Sequence, residues 1–224
     1  MTPITAARSA AVVFLLSYFG AMFVPSLPEG SDSDERVASL LSGSDQTLII
    51  VGGYLLVIAG IAALLFAWAL SRVLGATRSP AATLVGAAGT AYAALVLVAA
   101  VMFVTIPLAT AVGELTGDAP VEAFRIFTQA GFVTVLVPAL LCALVMIVAA
   151  SLAVRAAGVT PRWVAAVGFV VAPVLLLGFA WVPQFLVPLW AVITAFGVRP
   201  RPADRAAGVP QGSTATSKLT SDVS

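Results

Sequence analysis

The stretch TLIIVGGYLLVIAGIAALLFAWAL, residues 47–70, carries no charged side chain. As an α-helix it would be about 36 Å long, which is enough to cross the roughly 30 Å hydrocarbon core of a bilayer. Uncharged apolar runs of the same character occur at residues 10–27, 81–108 and 130–154. The sequence therefore predicts an all-α membrane protein with at least four transmembrane helices.

A fifth apolar run, residues 163–198, is too long for a single crossing. A straight helix of this length would measure about 54 Å, nearly twice the thickness of the membrane core. Pro183 lacks a backbone donor and Gln184 is strongly polar, so we expect the chain to turn at these residues. We therefore divide the run into two short crossings, at 163–181 and 183–198.

The positions of the charged residues favour six crossings over five, because cytoplasmic loops are enriched in Lys and Arg. With six crossings and a cytoplasmic N-terminus, the residues predicted to determine the topology all lie on the cytoplasmic side: Arg8, Arg72, Arg78, Arg155, Arg162, Arg199, Arg201 and Arg205. Five crossings would place the last three outside. We predict six transmembrane helices with short loops and both termini in the cytoplasm. Residues 1–198 form the transmembrane domain, and residues 199–224, rich in Pro, Gly, Ser and Thr, form a disordered tail.

Two similar segments, SRVLGATRSP at 71–80 and VRAAGVTPRW at 154–163, are predicted to be cytoplasmic turns. Each has a Gly suited to ending one helix and a Pro suited to starting the next. Paired arginines beside a Gly also raise the alternative of a phosphate- or nucleotide-binding motif. Gln46 and Gln129 share the same offset of 83 residues, so a duplicated helical hairpin is a further alternative.

Composition limits the chemistry that this chain can perform. It is 61% hydrophobic and 9% charged, it has no His, and its single Cys is Cys142. The commonest general base and metal ligand is thus missing, and one Cys cannot form an intramolecular disulfide or a cysteine metal cluster. A net charge of +1 argues against nucleic-acid binding. Because the predicted spans contain no charged side chain, a carboxylate-coupled transporter or an intramembrane protease is not expected. We predict no enzyme, no catalytic residue, no cofactor and no metal site.

Both predicted outer loops contain the pattern of a short amphipathic helix. In SDSDERVASLLSG, residues 31–43, a Ser/Asp cluster precedes Val37, Leu40 and Leu41, which predicts a capped helix lying on the membrane surface. In GDAPVEAFRIFTQ, residues 117–129, three apolar residues should share a face and one i, i+3 ion pair should be exposed. These residues are Val121, Phe124 and Phe127 for the face, and Glu122 and Arg125 for the pair.

Polar residues at the outer ends of the predicted spans are the best candidates for a ligand-facing site. They are Gln46, Glu114, Glu122, Arg125, Gln129 and Gln184. The alternative is that these side chains simply meet water. Small residues instead predict packing, with Ala59, Ala63, Ala67 and Ser71 forming one stripe and Ala82, Gly86, Thr90 and Ala94 another.

Arg8 followed by an apolar run also resembles a secretory signal peptide. Residues 22–30, MFVPSLPEG, provide no clean site of small residues for cleavage. A retained first helix is therefore the preferred interpretation, and its removal as a signal peptide is the alternative.

Four short motifs carry a resemblance to a known family. They are Ala7-Arg8 before the first span, GGYLLVIAGIAALLFAWAL at 52–70, TPRWVAAVG at 160–168 and VPLWAVITAFG at 187–197. Together they resemble a family of uncharacterised bacterial six-helix integral membrane proteins, with a PRW-type motif that opens the fifth helix. The resemblance implies six helices in the bacterial inner membrane and implies no activity, substrate or catalytic residue.

Two functional hypotheses follow from these observations. The first is a non-catalytic, multi-pass scaffold, partner subunit or envelope component of the bacterial cell membrane. Its partners would be the lipid bilayer and another membrane protein or a second copy of the chain. The alternative is a carrier or binder of a lipid or other apolar small molecule, held in a groove between helices that Pro residues bend.

Overall fold

The computed structural model describes residues 2–23, 27–28, 31–75, 79–115, 119–158, 160–177 and 182–198. Throughout these residues the regular secondary structure is helical. The helices are α1 (Pro3–Met22), α2 (Asp34–Leu40), α3 (Gly43–Leu74), α4 (Pro80–Ala111), α5 (Ala119–Thr134), α6 (Leu140–Ala157), α7 (Arg162–Leu175) and α8 (Leu186–Gly197). A π-helical segment, Val135–Ala139, joins α5 to α6, and a 3-10 turn, Val182–Phe185, precedes α8.

Four helices are long and apolar enough to cross a membrane: Pro3–Met22, Gly43–Leu74, Pro80–Ala111 and Pro120–Ala157. This confirms the predicted all-helical class and indicates a membrane protein. The segments Arg162–Leu175 and Val182–Gly197 are also apolar but shorter. The predicted disordered tail, together with Arg78, Arg199, Arg201 and Arg205, lies outside the described residues.

The two predicted turns end helices through left-handed glycines. Gly75, with φ of 82°, closes α3, and its amide donates to the carbonyl of Arg72. Gly158, with φ of 63°, closes α6, and its amide donates to the carbonyl of Val154. Pro80 is the first residue of α4, a position whose N–H would have no acceptor within the helix, so no helical hydrogen bond is lost. The interpretation of these segments as boundaries between helices is confirmed.

Six helices surround a common core in a closed order. α1 packs on α3, α3 on α4, α4 on α6, α6 on α7, α7 on α8, and α8 on α1. Trp190 of α8 is buried inside this ring, and its indole meets Phe66 of α3 edge-on with ring centroids 6.0 Å apart. α1 is thus an integral part of the bundle and contributes Ala11 and Phe14 to the core.

Small residues allow α3 and α4 to approach closely. A Cβ added at Gly53 would lie 2.9 Å from Cβ of Val104, and one at Gly60 would lie 2.8 Å from Cγ of Leu97. A Cβ at Gly89 would overlap Cβ of Ala67. These contacts are closer than ordinary side chains permit, so glycine is required where the two helices touch.

The predicted small-residue stripe of α3 is confirmed, because Ala59, Ala63, Ala67 and Ser71 are all buried. The stripe predicted for α4 is wrong, since Thr90 and Ala94 are exposed. The buried row of α4 instead includes Val85, Gly89, Tyr92, Ala93 and Val96. The reason is that α4 packs against α6 as well as α3, so its buried face is broader than, and rotated from, a single i, i+4 line.

Several helix ends differ from the predicted span boundaries. α1 begins at Pro3, where the Thr2 side chain caps the amide of Thr5, and it ends at Met22 rather than near residue 27. α7 ends at Leu175, whereas the sequence predicted a crossing to residue 181. At a rise of about 1.5 Å per residue α7 is about 21 Å long, shorter than a full membrane core.

Candidate functional site

The end of the bundle that the sequence predicts to face outward carries a small second core, which we call the outer cap. Its buried residues are Val37, Leu40, Leu41, Ile49, Ile106 and Phe124, which come from α2 and its end, α3, α4 and α5. The predicted helix in the first loop is confirmed as α2, with the Ser33 hydroxyl accepting from the amide of Arg36. Its apolar face, however, packs on α5 and α3 rather than on lipid. An amphipathic helix can bury its apolar face against either lipid or protein, so the sequence pattern alone could not distinguish the two.

Arg125 connects the two helices of the outer cap. Its Nη2 donates to Oδ1 of Asp34 at 2.9 Å and to the carbonyl oxygen of Asp32 at 2.6 Å. The Arg125 side chain is 17% exposed, whereas that of Asp34 is 83% exposed. The sequence had paired Arg125 with Glu122, a local neighbour, but this ion pair joins α5 to α2 across the chain. It therefore holds α2 in place.

Acidic side chains cover the outside of the cap. Asp34, Glu35, Glu114 and Glu122 are all exposed. Hydrogen bonds from its own backbone amide and from the Ser33 side chain lower the pKa of Glu35. This carboxyl therefore stays negatively charged in neutral solution, and the cap presents acidic groups on an ordered helix.

The remaining predicted outer residues have different surroundings. Gln46 is half-buried, and its Nε2 donates to the carbonyl oxygen of Pro107 at 3.0 Å, which ties the start of α3 to the end of α4. Gln129 is exposed on α5. On the predicted face of α5, Phe124 is buried and Val121 half-buried, but Phe127 is 38% exposed. Of the predicted outer residues at this end, Gln46 and Arg125 thus join helices, whereas Gln129 and the glutamates are exposed.

Gln184 lies apart from the other predicted outer residues, inside the bundle. It is 2% exposed, and its Oε1 accepts from the hydroxyl of Tyr18 at 3.0 Å. Within the described residues, its Nε2 has no hydrogen-bond partner. The hydrogen bond joins α1 to the turn before α8, and no local sequence signal could have predicted it.

Contacts along α1 show how far the turn between α7 and α8 extends along the bundle. Arg8 donates from Nε to the carbonyl of Ala195 and from Nη2 to that of Val198, both at 3.3 Å. Tyr18 lies about 15 Å further along α1, whereas α3 extends about 39 Å from Arg72 to Gln46. Gly20 of α1 lies against Leu55 of α3, about 14 Å from Gln46 along that helix, so the α7–α8 turn ends short of the Gln46 end of α3.

The described arginines at the end of the bundle that is predicted to be cytoplasmic fall into two groups. Arg8 binds the carbonyls at the end of α8 and lies 5.4 Å from the ring centroid of Phe196, while Arg72 lies 5.1 Å from that of Trp68. Arg155 and Arg162 instead line a cavity of about 750 Å³ at the α6–α7 turn. The sequence had identified both residues as topology signals, with a phosphate-binding motif as the alternative.

The chain matches no protein-family model, no curated protein and no solved structure. Its class therefore follows from the fold, which is an all-helical bundle with four helices of membrane-spanning length. In the ranges that the structure describes, no group of three or more His, Cys, Asp and Glu side chains is placed to hold a metal ion.

Proposed function

We propose that this protein is a non-catalytic, multi-pass scaffold or partner subunit of a bacterial cell membrane, and that the outer cap is its partner-binding surface. The supporting observation is the docking of α2 on α5 through its own small core and the Arg125–Asp34 ion pair. A surface that is ordered before binding loses less conformational entropy when a partner arrives. The exposed carboxylates of the cap favour a partner surface that is basic.

We also propose six membrane-embedded helices with both chain ends on the cytoplasmic face, as in the bacterial family that the sequence resembles. The contacts of Arg8 with Ala195 and Val198 support this threading, because they bring the start of α1 and the end of α8 to one end of the bundle. Arg72 and Arg155 lie in the last turns of α3 and α6, and Arg162 begins α7. This arrangement agrees with the enrichment of arginine on the cytoplasmic side.

The partner role can be tested by photo-crosslinking in intact cells. A photoreactive amino acid at Glu35, on the cap, should give an adduct of one discrete mass with a second protein or a second copy of the chain. The same amino acid at Val170, an exposed residue of α7, is the matched control and should not give that adduct. Arg125→Ala should reduce the Glu35 adduct severalfold because α2 loses its anchor. An adduct that forms equally from Val170, or that is unaffected by Arg125→Ala, would contradict the proposal.

The second candidate function, binding of a lipid, is favoured by one specific observation. The cavity at the α6–α7 turn combines two arginines with an apolar wall, which suits an amphiphilic molecule.

A further inference from the structure

Two cationic side chains converge on the cavity at the α6–α7 turn. Arg155 reaches it from the last turn of α6 and Arg162 from the first turn of α7, while Thr160 lines it from the connection. Its volume of about 750 Å³ lies within the roughly 300–1,000 Å³ typical of small-molecule sites. The α6–α7 turn thus borders a cavity that has a positively charged arginine on each of two sides.

Side-chain donors around this cavity have no protein partner in the part of the chain that the structure describes. Over the described residues, neither Arg155 nor Arg162 forms an ion pair or a side-chain hydrogen bond, unlike Arg8 and Arg125. The buried Oγ1 of Thr160 likewise has no hydrogen-bond partner there. Pro161 precedes α7 without a side-chain cap, so the amides of Arg162 and Trp163 are also available, whereas that of Val164 donates to the carbonyl of Pro161. These groups together favour an anion with several oxygens, and phosphate fits them best.

The rest of the lining is apolar and extends into the membrane-embedded part of the bundle. Val154 and Ala165 are buried along it, and Phe169 is partly exposed at its far side. Arg162 and Phe169 are about 10 Å apart along α7, so the polar end and the apolar wall are stacked along the helix axis. A small soluble phosphate compound would leave this wall uncovered, whereas a lipid would bury it.

We infer that this cavity binds the headgroup of an anionic phospholipid. The phosphate lies between Arg155, Arg162 and the N-terminus of α7, and an acyl chain runs along Ala165 and Phe169. This inference gives the second candidate function its ligand class and does not depend on the outer cap. If lipid binding fails, the crosslinking result for the cap is unaffected, so the two proposals can fail separately.

The test is lipid binding to the purified full-length chain by native mass spectrometry. We expect one phosphatidylglycerol to bind more tightly than phosphatidylcholine. The double variant Arg155→Gln/Arg162→Gln should weaken phosphatidylglycerol binding by about tenfold or more, because each arginine near an anionic lipid contributes about a factor of five. Arg72→Gln removes an equal charge from the same end of the bundle but outside the cavity, and it should leave binding unchanged.

A second variant keeps both charges and fills the cavity. Ala166 lines it and is exposed, so Ala166→Trp should weaken phosphatidylglycerol binding even if the double arginine variant does not fold. Equal binding by the double variant and Arg72→Gln would overturn the inference, as would equal affinity for phosphatidylglycerol and phosphatidylcholine. Inorganic phosphate that binds the wild type as tightly as the lipid would identify a soluble phosphate ligand, and would also overturn it.

Discussion

Tyr18 and Gln184 form a buried hydrogen bond between residues that are far apart in the chain. The rings of Phe14 and Phe185 meet Tyr18 edge-on, with centroids 5.7 and 6.2 Å away. Inside a membrane bundle no bulk water can replace a lost partner, so both polar groups depend on each other. This pair fixes the α7–α8 turn against α1.

Tyr18→Phe should destabilise the protein, because the Gln184 side chain then loses its only hydrogen bond among the described residues. The expected cost is about 1–3 kcal/mol, the range for a buried polar group left unsatisfied. Thermal unfolding in detergent measures the loss. The double variant Tyr18→Phe/Gln184→Leu removes both polar groups and should recover much of the stability. If its loss equals the sum of the two single losses, the pair is not coupled as described.

Gly89 permits the closest approach of α4 to its neighbours. A Cβ there would overlap Cβ of Ala67 and lie 2.9 Å from Sδ of Met146. Gly86 lies one turn earlier, and a Cβ there would be 3.4 Å from Oγ of Ser71. The two glycines therefore differ in the space available to one added methyl group.

Gly89→Ala should lower stability by about 1–3 kcal/mol, because overpacking pushes α4 away from α3 and α6. Gly86→Ala is the matched control and should be neutral or slightly stabilising, since the added methyl makes an ordinary contact and Ala favours helix. Thermal unfolding of both variants in the same detergent provides the comparison. Equal stability of the two variants would contradict the packing described for Gly89.

At the scale of the helices, the sequence predicts where each helix lies in the chain better than it predicts which helices touch. Membrane spans follow from local composition, so the ends of α3 and α4 were predicted to within about four residues. The predicted fourth span, 130–154, covers only the later part of the continuous helix Pro120–Ala157. The turns at Gly75 and Gly158 were predictable because they use local backbone chemistry. The Tyr18–Gln184 hydrogen bond and the Arg125–Asp34 ion pair join residues that are distant in the chain, and no periodicity encodes them. The cavity at Arg155 is lined by residues 154–169, so the sequence could place its arginines together but could not show the space between them.

The α7–α8 pair illustrates this limit most clearly. Its composition predicts two crossings, yet α7 has 14 residues and α8 has 12, and their turn meets α1 at Tyr18. The contacts of Gln184 and Phe185 with Tyr18 show how far the pair extends along the bundle. From it we expect the turn to lie within the bilayer rather than at the outer surface.

Cysteine labelling tests the depth of this turn. In a Cys142→Ala background, Val182→Cys should react poorly with a membrane-impermeant maleimide from either side, because Val182 is 69% exposed on the bundle surface, where we expect lipid to cover it. Glu35→Cys on the outer cap is the control and should react readily in intact cells. If Val182→Cys reacts from outside as fast as Glu35→Cys, the pair crosses the whole membrane.

Within the part of the chain that the structure describes, six of the eight helices form a ring that the contacts of Arg8 close. Arg8 of α1 binds the last carbonyls of α8, the helix furthest from it in sequence. At the opposite end, Arg125 holds α2 over the bundle. The two ends thus differ, with an acidic ordered cap at one and arginines at the other. This asymmetry is the basis of the proposed orientation in the membrane.

The most direct test of the proposed threading is the sidedness of single cysteines in the Cys142→Ala background. Thr2→Cys, before α1, and Ala156→Cys, at the end of α6, are expected to react with an impermeant maleimide only after the cells are permeabilised. Glu35→Cys, on the outer cap, is expected to react in intact cells. Labelling of Thr2→Cys or Ala156→Cys in intact cells, or protection of Glu35→Cys until permeabilisation, would contradict the account.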